Sequence, residues 1–455
     1  MSRLLHLSLV LIAASTAISA QTYKVLHNFG NKIGDATNPG GTGTITQSRG
    51  GAMFSTASDA DSDEIGKAFR ITTSGSESVL HQFDGQSGAG LILTTGGQFY
   101  GTTVTGGTFG AGTVFRMSQD GSVTTLYNFT GGADGGHPDA VPIQSVSGDL
   151  YGVTEGISPQ SGSVYRITRN GRFTLLHSFA GSDGAAPVGP LVQGNDYQFY
   201  GTTTSGGRDN YGTIFRVSSS GDFKVLINFD RFTNGELPED GLIQANDGNF
   251  YGVAMGGGSA DRGVLFRITP DGTFTVLHNF SGGGDGRYPI GGLVQASDGN
   301  LYGTTEFGGT PGYGVLFRAS LAGDLVPVFN FTSAPGTGWL GTSPLLQHTN
   351  GILYGDTFYG GKFNLGVFYS LDLGLPPFVS YLPTYGRSGA LVQILGQGFT
   401  SGSVVSFNGT PAASPVVVYP TYLRVVVPSG ATTGPITVTT ATGTLTSNKV
   451  FIVHP

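Results

Sequence analysis

Four histidines share one spacing. His27, His81, His177 and His278 each stand two residues before a phenylalanine, in the segments VLHNF, VLHQF, LLHSF and VLHNF. An imidazole repeated in this way suggests a ring of metal ligands or proton carriers. The same slot holds Tyr127, Ile227 and Phe329 in other copies. Isoleucine can neither ligate a metal nor accept a proton, so the slot reads as a packing position. Arginine recurs directly after an aromatic, at Arg70, Arg116, Arg166, Arg216, Arg267 and Arg318. One such arginine per copy reads as a repeated brace, buried and hydrogen-bonded within a sheet, in preference to an anion site.

Two acidic stretches break the regular text. Asp59, Asp61 and Asp63 have the D-x-D-x-D spacing of a calcium loop. Glu64 stands where that loop needs its turn glycine, and Arg70 where it needs a bidentate carboxylate. A looser calcium site there is weighed against a solvated acidic loop. Asp230, Glu236, Glu239 and Asp240 cluster in an irregular segment, 230–240. The breaks at 57–66, 155–162 and 230–240 are where a specific site is expected, because repeat slots supply one residue type to every copy. Catalysis needs unlike groups at one point. No nucleophile elbow, HExxH, P-loop or dinucleotide fingerprint is present. No catalytic or cofactor-binding residue is therefore assigned, and no cofactor is expected beyond the calcium alternative.

These residues must be positioned by a repeat. Tyr100-Gly101, Tyr151-Gly152, Tyr200-Gly201, Tyr251-Gly252, Tyr302-Gly303 and Tyr354-Gly355 recur every 49 to 52 residues, with a decayed copy at Phe54-Ser55. A period near fifty signals a repeat architecture. Each copy offers four short alternating runs separated by Gly, Asp or Asn: G-L-[IV]-Q, N-[LF]-Y-G-T, V-x-F-R-[IV] and [VT]-L-H-N-F. Such runs are strand and hairpin text, and four strands per unit make a propeller blade. The last run appears first as YKVLHNF at 23–29, before any complete copy, while the final copy lacks it. A closed ring explains that offset, with 23–29 completing the last blade beside 365–371. The fold class is thus all-β: a seven-bladed β-propeller with four strands per blade over 21–374, then a second unit over 375–455.

Residues 293–331 carry L-Y-G-T-T-x-x-G-G, G-V-L-F-R and V-F-N-F, and 91–129, 191–229 and 242–280 follow the same order. This text resembles the bacterial Gloeo/Verruco tandem repeat. The resemblance implies an exported or surface-displayed bacterial protein and no established common activity. After Leu375-Pro376-Pro377 the text changes to short Val/Ile/Thr runs. The opening segment 377–384, Gly396-Gln397-Gly398-Phe399, Val405-x-Phe407-Asn408-Gly409, Val427-Pro428 and the closing 439–451 segment resemble a TIG/IPT immunoglobulin-like domain. That resemblance implies a β-sandwich without the paired cysteines of antibodies.

Composition narrows the function. Arg3, an apolar run over 4–14 and small residues up to Ala20 read as a signal peptide over 1–20, so the chain is expected to be secreted or held at the cell surface. The chain has no cysteine, which excludes thiol chemistry and Cys-ligated metals. Its net charge is −7 with no basic block, which argues against nucleic acid as a partner. No segment after the signal peptide reads as a membrane span. The expected partner is an extracellular ligand, a glycan or a surface protein. The leading reading is a non-catalytic binding and scaffold protein. The alternatives are a secreted polysaccharide-active hydrolase or lyase, with its site on one propeller face, and a structural part of a surface layer.

Overall fold

The Tyr-Gly pair decides how each sheet packs. In the fourth repeat, Val192–Gln193, Phe199–Thr203, Thr213–Val217 and Phe223–Asn228 form a four-stranded antiparallel sheet in chain order. Gly201 lies opposite Phe215 in the register. A Cβ on Gly201 would stand 2.5 Å from the Phe215 ring and 2.8 Å from Leu191. Glycine is therefore required for the V-x-F-R aromatic to lie across the neighbouring strand. A one-residue shift between Ile214 and Phe215 then bulges the outer pair, which increases the local twist.

The computed structural model describes residues 21–454 except 33, 40–42, 58–64, 89, 334, 335 and 342. The signal-peptide segment 1–20 and Asp59, Asp61 and Asp63 lie outside the described residues. Six sheets of the same form run in sequence over 46–82, 92–128, 143–178, 192–228, 243–279 and 287–330. A seventh takes Leu346–Gln347, Leu353–Thr357 and Val367–Asp372 from the end of the repeats and Thr22–Asn28 from the start of the chain. Thr22–Asn28 runs antiparallel to Val367–Asp372, with Thr22 opposite Asp372 and Asn28 opposite Val367.

A repeated cap shows how well the borrowed strand fits. The Oδ1 of Asn128, Asn228, Asn279 and Asn330 accepts the N–H of Thr108, Arg208, Ser259 and Thr310, just after a glycine pair. In the seventh sheet Asn28 accepts from Lys362 in the same way, at 2.7 Å across 334 residues of sequence.

Apolar clusters join each sheet to the next. Tyr151, Val164 and Phe179 of the third meet Phe199 and Phe215 of the fourth, and the pattern continues around the repeats. The last cluster joins Tyr354, Phe368 and Phe29 of the seventh sheet to Met53, Phe69 and Ile71 of the first. The chain is thus an all-β, propeller-like assembly in which seven such sheets are joined end to end, among the described residues. No helix among them is long and apolar enough to cross a membrane.

Beyond Asp372 the chain forms two further sheets. One holds Ser380–Leu382, Leu391–Leu395, Tyr422–Val426 and Val416–Tyr419. The other holds Tyr385–Arg387, Gly443–His454, Gly434–Thr440, Val404–Phe407 and Thr410–Pro411. They share a core of Val379, Ile394, Phe399, Phe407, Leu423, Ile436 and Phe451, among others.

Candidate binding site

Antiparallel order gives the ring two unlike faces. In the second sheet the short turns at 94–98 and 118–122 fall on one side. The longer connections, 104–112 and 129–142, fall on the other. The first side is covered by the C-terminal unit. Asn246 donates to the Asn448 carbonyl at 2.7 Å, Thr421 to the Arg49 carbonyl at 2.7 Å, and Thr349 to the Gly396 carbonyl at 3.3 Å. Tyr197 packs on Tyr385 and hydrogen-bonds His454. Three cavities lie under this cover, of about 280, 260 and 490 Å³, the last between Gln244, Asn246 and Lys449. Ile92, Ile143 and Val192 face Leu382 and Tyr385 in the first, and Leu93 and Leu346 face Tyr381 and Tyr422 in the second. Inner strands of several sheets therefore converge on a common axis beneath it.

A break in one repeat slot keys this cover. The inner-strand glutamine of one sheet accepts a main-chain N–H of the preceding sheet: Gln144 from Thr95, Gln193 from Val146, Gln244 from Asn195, Gln295 from Asn246, Gln347 from Ser297 and Gln47 from Thr349, at 2.8–3.1 Å. In the second sheet the slot holds Leu93. There the Arg49 guanidinium donates to the Thr95 carbonyl at 2.9 Å and to Gln393 of the C-terminal unit. It also lies over the Tyr422 ring at 4.7 Å, and Tyr422 donates to Gln393 at 2.8 Å. A glutamine from outside the ring thus bonds the Arg49 side chain and the Thr95 carbonyl beside the slot where the ring has leucine.

The opposite face gathers unlike carboxyls. The second strand carries Thr102, Thr202 or Thr304, whose hydroxyls donate to the carbonyls of Ala140, Asp240 and Gly341 ahead of or in the following sheet, at 3.3, 2.9 and 2.7 Å. Asp356 occupies that slot in the seventh sheet. It is 1% exposed and neither carboxylate oxygen has a hydrogen-bond partner among the described residues. Burial pushes its carboxyl up to about 7, against the Ser343 hydroxyl nearby. The segment leading into the fifth inner strand supplies Asp240, 6% exposed, with Oδ2 unpartnered. Burial, opposed by the Gly241 N–H and assisted by Glu239, pushes it up to about 7. Burial and Glu155 push Asp139 up to about 6. Burial and Glu306 raise Glu239, and burial raises Glu306 against the pull of Arg287. Like charges held together out of water keep protons that isolated carboxyls would lose. At neutral pH this face can both donate and accept hydrogen bonds.

The residues singled out from sequence divide accordingly. From the breaks at 155–162 and 230–240, Glu155, Glu239 and Asp240 join the site. Asp230 caps its own turn, donating main-chain N–H to Asn234 and accepting from Phe232. Glu236 lies 3.5 Å from Arg231, which also pairs with Asp261. Asp139, Glu306 and Asp356 were not anticipated. Their signal was a carboxyl in a slot that sibling copies fill with Ile290, Met255 or Thr304. The histidines sit in the seams: His177 stacks on Phe223 at 3.6 Å and pairs with Asp183 at 2.9 Å, and His278 pairs with Asp285 at 3.1 Å. The expectation of buried arginines fails. Arg70 and Arg318 are exposed and Arg116, Arg216 and Arg267 are half-buried. Each lies opposite a residue of the Tyr-Gly slot, Arg216 opposite Tyr200 and Arg318 opposite Tyr302. Arg166 and Arg267 still donate along the sheet, to the Thr174 and Thr275 hydroxyls at 3.5 and 3.4 Å, so the hydrogen bonding within the sheet is found where the full burial is not.

The chain matches the model of the Gloeobacter/Verrucomicrobia repeat over residues 41–246 and 232–393, and it belongs to that family. No curated protein sequence matches it. Among solved structures it is similar to a fungal alcohol oxidase of the AA5 family in complex with copper. The identity is 13%, the TM-score 0.53, and the match covers 92% of this chain and 98% of that one. It is also similar to the extracellular domain of a hybrid two-component system from B. thetaiotaomicron, at 9% identity and TM-score 0.53. That match covers 95% of this chain but 58% of the other, so this chain spans little more than half of that structure. At these identities the likeness is one of fold.

Proposed function

We propose that this chain is an exported, non-catalytic binding and scaffold protein of the cell surface or extracellular space. In this reading residues 1–20 are its signal peptide, 21–374 a seven-bladed β-propeller and 375–455 a TIG/IPT immunoglobulin-like sandwich. The ligand is a hydroxyl-rich molecule of the glycan class, held on the face opposite the sandwich. The observation that carries this is the set of unlike carboxyls there, with Asp240 and Asp356 buried and short of partners. A buried polar group without a partner costs stability unless something bonds to it, and a protonated carboxyl offers both a donor and an acceptor to a sugar hydroxyl.

A second reading, a polysaccharide hydrolase or lyase, is favoured by one feature. Asp240 and Asp356 are held at about 7, the range in which a carboxylic acid can serve as general acid at neutral pH. One experiment separates the two. The mature protein is titrated calorimetrically against a polysaccharide panel, beside Asp240→Ala and Asp356→Thr, which restore residues found in sibling copies. Binding that falls at least tenfold in both variants, with no new reducing ends or unsaturated products from the parent, supports the binder. Product formation supports the enzyme. If no polysaccharide binds, the glycan assignment is wrong.

A further inference from the structure

We propose that His27, Asp35 and Glu77 form a binding site for one first-row divalent cation, zinc-like in its ligand preference, at the seam where the first and seventh sheets meet. One ligand atom from each residue lies within 4.8 Å of the others. Ligand atoms around a single such ion stand roughly 3–4 Å apart, with metal–ligand bonds near 2.1 Å. All three side chains are at least nine-tenths buried, with relative exposures of 8%, 5% and 8%. Each also keeps an unsatisfied ligand atom: His27 Nε2, Asp35 Oδ1 and Glu77 Oε1. His27 Nε2 approaches Asp35 Oδ2 at 3.3 Å without the geometry of a hydrogen bond.

The sibling seams show what is unusual here. Elsewhere the residue in Glu77's slot is apolar or aromatic: Val123, Phe173, Phe223, Phe274 and Leu325 open the outer strands of the next five sheets, and Tyr23 stacks on Phe329 in the seventh. His177 on Phe223 and Tyr127 on Phe173 are stacked pairs of this kind. Only at the joining seam does a carboxylate, Glu77, replace the apolar partner. Burying two acids side by side is costly without a cation. Burial and Asp35 accordingly push Glu77 up to about 8, while the Asp35 carboxyl is held low, against its burial, by His27 and Glu77. Lys32 and Lys67 pull the other way on Glu77 without offsetting its burial, and the Lys67 ammonium also donates to the Asp35 main-chain carbonyl at 2.9 Å. One imidazole nitrogen with two carboxylates suits zinc or manganese better than calcium, which takes oxygen alone. The ligands come from the N-terminal strand, the connection after it and the first sheet's outer strand, so the ion would tie the chain's start to the first sheet.

The test uses the untagged mature protein, stripped with chelator and titrated with Zn²⁺ and, separately, Ca²⁺. Thermal unfolding, calorimetry and metal analysis of the unstripped protein are the readouts. Glu77→Val and His27→Ile place residues that sibling copies carry in the same slots, so both variants are expected to fold. We expect about one equivalent of zinc per parent chain, a higher unfolding temperature with Zn²⁺ than with Ca²⁺, and affinity at least ~100-fold weaker in either variant. Absence of a zinc-dependent shift in the parent would overturn the site and leave Lys67 as the counter-charge. Equal zinc affinity in parent and Glu77→Val would overturn it as well.

Discussion

Replacing Phe29 by alanine tests whether the ring is closed. Phe29 follows the N-terminal strand and is 0% exposed. Its ring meets Phe69 of the first sheet edge-on at 5.5 Å, and its N–H donates to the Gly366 carbonyl of the seventh at 3.1 Å. Truncating a fully buried phenylalanine costs about 3–5 kcal/mol, from lost burial and the cavity left behind. Phe280 is the matched control in mid-chain. It is also 0% exposed, meets Phe317 edge-on at 5.4 Å and donates to Gly263 at 3.0 Å. In a closed ring the two substitutions should cost about the same, because neither seam is an end. In an open arc Phe29 would sit on a terminal strand free to fray, and its loss would be nearly silent. Urea unfolding of both variants, with the slope checked for constancy, measures the difference. If Phe29→Ala stays within ~0.5 kcal/mol of the parent while Phe280→Ala falls by several, the closure argument is wrong.

Stability should also report the buried acids. Asp240 and Asp356 titrate near 7 in the folded chain and near 4 when unfolded. The folded state therefore holds more protons, so the stability these groups contribute is complete below about pH 4 and is lost as pH rises through about 7. Asp356→Thr should remove on the order of 2–3 kcal/mol of the fall between pH 5 and pH 8, and unfolding midpoints at those two pH values that keep the parent's difference would contradict it. Arg49→Ala should free the C-terminal unit, with faster proteolysis at 373–378 and little change in the ring's unfolding; unchanged cleavage would mean that the other contacts suffice. Gln295→Leu should cost about 1–3 kcal/mol by leaving the Asn246 N–H without its acceptor, and a neutral result would show that water replaces the relay.

Period and alternation were enough to read the repeated four-stranded sheets. They located the four strands of each copy, the glycines that admit a ring from the next strand, and the stray first strand that belongs beside 365–371, because those signals are local and repeated. The candidate site was only half legible. The breaks at 155–162 and 230–240 pointed to Glu155, Glu239 and Asp240. Asp139, Glu306 and Asp356 carried only a weak mark, a carboxyl in a slot that most sibling copies fill with another residue. Their meaning depends on which face a slot reaches, and on how many acids from distant sheets burial gathers there. The arginines failed for the same reason, since recurrence says that a position is structural but not whether it points inward. Nor does sequence show that Leu93, an ordinary strand residue by itself, stands where Arg49 of the neighbouring sheet and Gln393 of the C-terminal unit meet. Strand text is written by neighbours two residues apart, whereas charge, burial and docking are decided by residues tens to hundreds apart that only the packing of whole sheets brings together.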